Sequence, residues 1–219
     1  MVITPMDLLH HSWSRSWQAL GASGDGVALM QQLITAYNEP QRKYHTVQHL
    51  SECLSVLAEQ LHLAQHAGEV EMALWFHDAV YDVHAKDNEA QSAAWATRAL
   101  QLAGVGVDGI ARIEALIMAT YHNAAPQTTD QQLLVDVDLA ILGADETRFL
   151  EYETQIRAEY AWVPEELFQT TRRGILKAFA DRQPIYGTPA LRELFERQAH
   201  LNLEQSVAVL AGTAHSCSS

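Results

Sequence analysis

Apolar positions recur three and four residues apart along most of the chain, as in Leu54, Leu57 and Leu61, in Ile110, Ile113, Leu116 and Ile117, and in Leu167, Ile175 and Phe179. That spacing keeps one face of an α-helix apolar, whereas a half-buried strand would alternate every second residue. Alternating runs rich in valine, isoleucine and threonine are missing. The pattern predicts helices near 6–20, 26–37, 46–63, 69–80, 87–103, 108–120, 130–142, 145–160, 164–181 and 189–210. Boundary chemistry agrees. Pro40 ends the second helix, Thr46 is placed to cap the third, and Asp87-Asn88-Glu89 sets acidic groups at the favourable end of the fifth helix dipole. Gly104-Val105-Gly106 closes that helix, with Asp108 expected to cap the next. Pro126 forbids a helix through the 120s, and Thr188-Pro189 puts a cap before a proline at the first helical position. No repeat, low-complexity linker or second domain is visible. Residues 1–210 are therefore expected to form one all-α helical bundle, with 211–219 a disordered tail.

Composition narrows the function classes. The 219 residues are 48% hydrophobic and 19% charged, a globular balance in a chain long enough for a sizeable core. A formal net charge of −13 opposes electrostatic binding of duplex nucleic acid or an anionic membrane. It still permits a small phosphorylated substrate, and it leaves a homodimer open. Neither a stretch of ~20 apolar residues nor a signal-peptide pattern is present, so a cytoplasmic setting is the expectation. Cys53 and Cys217 form no metal or redox spacing; Cys53 falls on an apolar helical pattern and reads as a small core residue.

Chemistry enters at His77-Asp78, which the pattern sets at the end of an apolar helix over 69–79, between Trp75-Phe76 and Ala79-Val80. An imidazole and a carboxylate there must find partners or lose their hydration at a cost. A divalent metal would satisfy both. His49 lies upstream, read as mid-helix, and Asp138 lies downstream in a third helix. Three helices converge only where a bundle packs, so such ligands would meet inside it. Two neutral nitrogens and two carboxylates suit Zn²⁺, Mn²⁺, Fe²⁺ or Ni²⁺. A Gly-x-Ser-x-Gly elbow, a Walker-type loop and a Rossmann fingerprint are all missing.

The ordered set His, His-Asp, Asp on a helical chain resembles the HD-domain superfamily of metal-dependent phosphohydrolases. The chain is most similar to a bacterial branch of predicted phosphohydrolases. That likeness rests on Tyr44-His45-Thr46…His49, Trp75-Phe76-His77-Asp78-Ala79-Val80-Tyr81, Asp87-Asn88-Glu89…Ser92-Ala93, Ala119-Thr120…His122, Asp136-Val137-Asp138-Leu139…Leu142-Gly143 and Arg157-Ala158-Glu159-Tyr160. It spans Trp17 to about Asn202.

The resemblance implies ligation of one divalent ion (Mn, Mg, Zn, Fe, Co or Ni) by His49, His77, Asp78 and Asp138. Asp138 is preferred to Asp136 because a Leu-rich helix follows the superfamily's ligand; Asp136 would cap that helix or orient a ligand. Binuclear relatives carry two further histidines before the final Asp. Only His84 and His122 occupy that interval here, and His84 is too close to the pair, which favours a mononuclear site. The implied reaction is attack of a metal-activated water on a phosphate ester of a nucleotide or small metabolite. Asp78 would orient the water, while Glu89, His84 or His122 could donate the proton to the leaving oxygen. His45 is expected to support a ligand or meet substrate. Arg157 leads the candidates for pairing with phosphate, followed by Arg172 and Arg173, with Arg182 and Lys43 behind. For these arginines a solvated face or an ion pair with Glu153, Glu159 or Glu166 is the competing structural role. Tyr81, Tyr121 and Tyr186 are placed either to line a pocket or to fill the core. The alternatives are a metal- or nucleotide-binding module without turnover, and a di-iron oxygenase.

Overall fold

The computed structural model describes residues 4–122 and 124–216, with side chains described through residue 212. Among the described residues it is all-helical: α1 (Pro5–Ala19), α2 (Val27–Tyr37), α3 (Val47–Gln60), α4 (Ala67–Phe76), α5 (Asn88–Leu102), α6 (Val107–Ala119), α7 (Thr129–Asp138), α8 (Glu146–Glu159), α9 (Glu165–Ala180) and α10 (Pro189–Ser216). Short 3₁₀ segments occupy Leu61–Leu63 and Leu139–Gly143. The chain clusters into two compact units, Met1–Asp138 and Leu139–Ser219. No described helix is long and apolar enough to cross a membrane.

In the first unit α4 is the central element, packed against α1, α3, α5, α6 and α7. Every residue from Glu69 to Phe76 is buried, as expected for a helix apolar on all sides. Its two carboxylates are buried with arginine partners. Glu69 takes Arg112 at 2.6 Å through both oxygens, and Glu71 takes Arg15 as a two-pronged pair. Removing either arginine would leave an uncompensated buried charge. Trp13 stacks on Trp17 at 5.2 Å and meets Trp75 edge-on at 5.1 Å, while Trp75 Nε1 donates to Ser12 Oγ at 3.0 Å. These contacts fix α1 against α4, and so fix where the C-terminal end of α4 points.

Helix ends differ from expectation where tertiary contacts outbid local signals. α4 stops at Phe76 rather than near residue 80, with His77 as its cap residue and Asp78 in the following turn. Thr46 caps α3, accepting from Gln48 N–H at 3.3 Å, so His49 is the third residue of its helix and not a mid-helix residue. The cap residue of α6 is Gly106, and Asp108 sits inside the first turn instead of capping it. Gly104 closes α5 with φ +79°, a conformation a side chain would strain.

In the second unit α10 packs against α9 and against the 3₁₀ segment Leu139–Gly143. A Cβ on Gly143 would lie 2.6 Å from both Cβ and O of Phe195, so only glycine admits this approach. Asn202 Nδ2 donates to the carbonyls of Leu142 and Ala144 at 2.9 Å each, and Tyr186 Oη donates to Leu139 O at 3.0 Å. Tyr186 is thus a core residue and not a pocket residue. α10 continues to Ser216, past the expected end at 210, so the tail expected over 211–219 is helical in its first six residues. Cys217 lies outside the described residues.

Candidate metal centre

The first unit brings His49, His77, Asp78 and Asp138 together from the start of α3, the end of α4 and the end of α7. Ligand atoms of His49, His77 and Asp138 all lie within 4.8 Å of one another. His49 Nε2 and His77 Nε2 are 3.1 Å apart. Asp138 Oδ1 is 3.3 Å from the former and 3.5 Å from the latter. Asp78 Oδ2 approaches the same two nitrogens at 3.6 and 3.0 Å. Both histidines are essentially inaccessible, while the two carboxylates keep a small exposed edge.

The tautomers can be read from the partners of the other ring nitrogens. His77 Nδ1 donates to Leu74 O at 2.7 Å, and a carbonyl can only accept. A neutral His77 therefore turns a lone pair at Nε2 towards the lone pairs of His49 and two carboxylates. Four electron-rich groups in mutual contact require a positive charge among them. A divalent ion with N/O ligands supplies it, and so does a proton in the ion's absence. Burial by itself presses the His77 imidazole towards neutrality. The Asp78 carboxylate, Tyr37 and Asp138 outweigh that and hold it well above its ordinary range. Burial also opposes ionisation of Asp78 and Asp138; His77 and His45 nonetheless pull Asp78 down, and hydrogen bonds from His122, His49 and His77 pull Asp138 down. The donor set fits a divalent metal.

Supporting groups surround this cluster. Cys53, one turn after His49, places Sγ 3.6 Å from His49 Nδ1 and 3.8 Å from Val137 O. Burial pushes the thiol's pKa up, so it stays an S–H that can donate to the carbonyl while its sulfur faces the ring nitrogen. Such contacts orient ligating imidazoles. Tyr37 Oη accepts the Asp78 N–H at 3.3 Å. His122 Nε2 lies 3.1 Å from Asp138 Oδ2, the oxygen turned away from the histidine pair. Its φ of +55° puts a non-glycine residue in the left-handed region, a strain tolerated where geometry is over-determined. His122, expected to face substrate, is in contact with the candidate ligand Asp138.

The remaining candidates separate into two groups. Glu89, second residue of α5, is half-buried; burial and the Asp78 and Asp138 carboxylates raise its pKa against the pull of its own backbone N–H and of His122. His45 stands just before the cap of α3, stacked on Tyr81 at 3.9 Å and outside the ligand cluster. His84 is exposed in the loop before α5, its N–H bonded to Asp82 at 2.8 Å. Asp136 is buried and accepts from Gln132 Nε2 at 2.8 Å, apart from the cluster.

The arginines expected at substrate belong to the second unit. Arg172 is buried, paired with Glu153 and lying over the Tyr152 ring at 5.0 Å. Arg157 donates to Glu165 at 2.8 Å and to the carbonyls of Tyr160 and Val163 at 2.7 and 3.2 Å, tying down the end of α8. Both arginines thus carry ion pairs within the unit, Arg157 with Glu165 and Arg172 with Glu153. Arg173 is half-buried on α9. A groove of about 680 Å³ in the first unit, lined by His66, Glu69, Asp108 and Arg112 among others, contains none of the clustered residues.

Sequence reasoning missed Arg42 and undervalued Cys53 and Tyr37. Cys53 had a signal in its i+4 spacing from His49, which places both on one helix face. Arg42 shows only its i,i+3 pairing with Glu39 in the sequence; its bonds to the carbonyls of His45, Asp78 and Ala79 leave no signal there. Comparison with family models, with curated proteins and with solved structures returns no match.

Proposed function

We propose that the chain is a metal-dependent phosphohydrolase that cleaves a phosphate ester of a nucleotide or small metabolite. The observation that carries this reading is the His77 Nδ1–Leu74 hydrogen bond, which leaves two imidazole Nε2 atoms and two carboxylates facing one another around a position that calls for a cation. The sequence resemblance to HD-type phosphohydrolases supplies the reaction class. His49, His77, Asp78 and Asp138 would hold the ion, as one metal per chain. A divalent ion in such a site polarises a phosphoryl oxygen and brings the pKa of a water towards neutrality.

The chain's own groups divide the remaining work. Hydrolysis forms a bond from water oxygen to phosphorus and breaks the bond from phosphorus to the leaving oxygen. The leaving oxygen then needs a proton. Glu89 is the best-suited donor, because its half-buried setting beside the cluster favours the protonated carboxyl. Asp78 keeps an exposed edge through which it can orient the attacking water. His122 holds Asp138 from behind, and His45 on Tyr81 forms a flat imidazole–phenol wall beside Asp78.

The test is His77→Ala and Asp78→Ala, assayed for phosphate release with Mn²⁺, Mg²⁺, Co²⁺ and Ni²⁺. Activity should vanish while the helical circular dichroism persists. Loss of the fold with loss of metal would instead make the ion structural. Metal binding without release from any substrate would make the chain a binding module.

A further inference from the structure

Arg42 is the most completely engaged side chain around the site. Its side chain is fully buried, between α2 and α3, in a chain whose other arginines mostly reach solvent. Four hydrogen bonds leave the guanidinium. Nε donates to Glu39 Oε2 at 3.1 Å, Nη1 to Asp78 O at 2.6 Å and to His45 O at 3.3 Å, and Nη2 to Ala79 O at 3.0 Å. The rings of Tyr37 and Tyr81 lie 5.4 and 5.7 Å from its Cζ, so an aromatic ring flanks it on two sides.

The carbonyls it binds are informative. α4 ends at Phe76, and the carbonyls just beyond a helix end have no intrahelical partner. Those of Asp78 and Ala79 belong to the turn that carries a candidate ligand. The N–H side of the same turn is held separately: Asp78 N–H by Tyr37 Oη, Ala79 N–H by Phe76 O at 3.0 Å and Val80 N–H by Ser92 Oγ at 3.0 Å. The third carbonyl, that of His45, lies in the short segment leading into α3, four residues before the candidate ligand His49. One planar cation therefore binds the backbone behind Asp78 to the backbone ahead of His49. The side chains of these two segments, His49 and Asp78, stand 3.6 Å apart at Nε2 and Oδ2.

The geometry points to Arg42 as a positioning residue that sets the affinity and coordination geometry of the metal centre without touching metal or substrate. This rests on the metal-centre reading above. A lysine cannot replace it: an ammonium is a point charge on a flexible stem and cannot span three carbonyls and a carboxylate in one plane.

The test is a Co²⁺ titration of chelated wild type, Arg42→Lys and Arg42→Gln, read by visible absorption and calorimetry well below each protein's melting temperature. Loss of a partner that orients metal ligands costs about 10–100-fold in affinity. Both variants should bind Co²⁺ at least ten-fold more weakly than wild type, with an altered absorption band, while retaining helical circular dichroism. A merely structural arginine would lower the melting temperature and leave Co²⁺ affinity and spectrum unchanged in the folded variant, which overturns the proposal. Failure of both variants to fold also overturns it, by assigning Arg42 to stability. If wild type itself binds no Co²⁺, the metal-centre reading fails, an outcome distinct from wild-type binding that the variants share.

Discussion

Replacing Asp138 with asparagine keeps the side chain's shape and removes its charge from the middle of the histidine cluster. Asp138 lies 3.1 Å from His122 Nε2, 3.3 Å from His49 Nε2 and 3.5 Å from His77 Nε2. A unit-charge pair at such a separation is worth roughly 5 kcal/mol at an effective dielectric of about 20. Most of that is offset by the desolvation of both groups, and Asp78 stays 3.0 Å from His77 as a second partner. The net cost to the metal-free protein is then about 1–3 kcal/mol. The larger effect is on loading. Metal at 100 times its dissociation constant adds about 2.7 kcal/mol to a protein that binds it only when folded. For a chain of this length that is a rise of roughly 5–10 °C in melting temperature. Differential scanning fluorimetry with and without Mn²⁺ or Zn²⁺ should show this rise in wild type and lose nearly all of it in Asp138→Asn. An equal rise in both proteins would refute the reasoning, since a metal held elsewhere would not depend on this carboxylate.

Three further outcomes are expected. Glu89→Gln should lower kcat by about 10²-fold or more with metal content unchanged, and it should flatten the alkaline limb of the pH–rate profile; an unchanged pH–rate profile would free Glu89 from that role. Chelated protein should be most stable between about pH 4 and 6.5, since the stability tied to the depressed Asp78 and Asp138 is lost as pH falls and that tied to the raised His77 is lost as pH rises. Urea unfolding across pH checks this, and a steady gain from pH 6 to 9 would contradict it. Gly143→Ala should destabilise the second unit by about 1–3 kcal/mol, because the added methyl meets Phe195 Cβ and O at 2.6 Å; a neutral effect in thermal unfolding would mean that α10 gives way freely.

The helical architecture was legible because it follows from apolar spacing, and the positions that set that spacing, Leu54, Leu57 and Ile113 among them, are the ones buried in the core. The four candidate ligands were legible as residue types in order, and they do converge within one unit. Their exact setting was not. α4 ends four residues early because Arg42 and Tyr37 take up the backbone of the turn that follows it, and those residues are distant in sequence. The contact of His122 with Asp138 was not legible for a similar reason: the second oxygen of Asp138 arrives from another helix. For Arg157 and Arg172 the sequence left a phosphate role and an ion pair both open, because it does not show that Glu165 and Glu153 reach them.

The most direct test of the central claim is metal content measured together with phosphate release on the same protein, chelated and then reloaded with Mn²⁺, Mg²⁺, Co²⁺ or Ni²⁺, against a nucleotide panel and a generic phosphodiester. The account predicts about one metal per chain and release that depends on it and disappears in Asp138→Ala. No bound metal, or release that survives chelation, would contradict it.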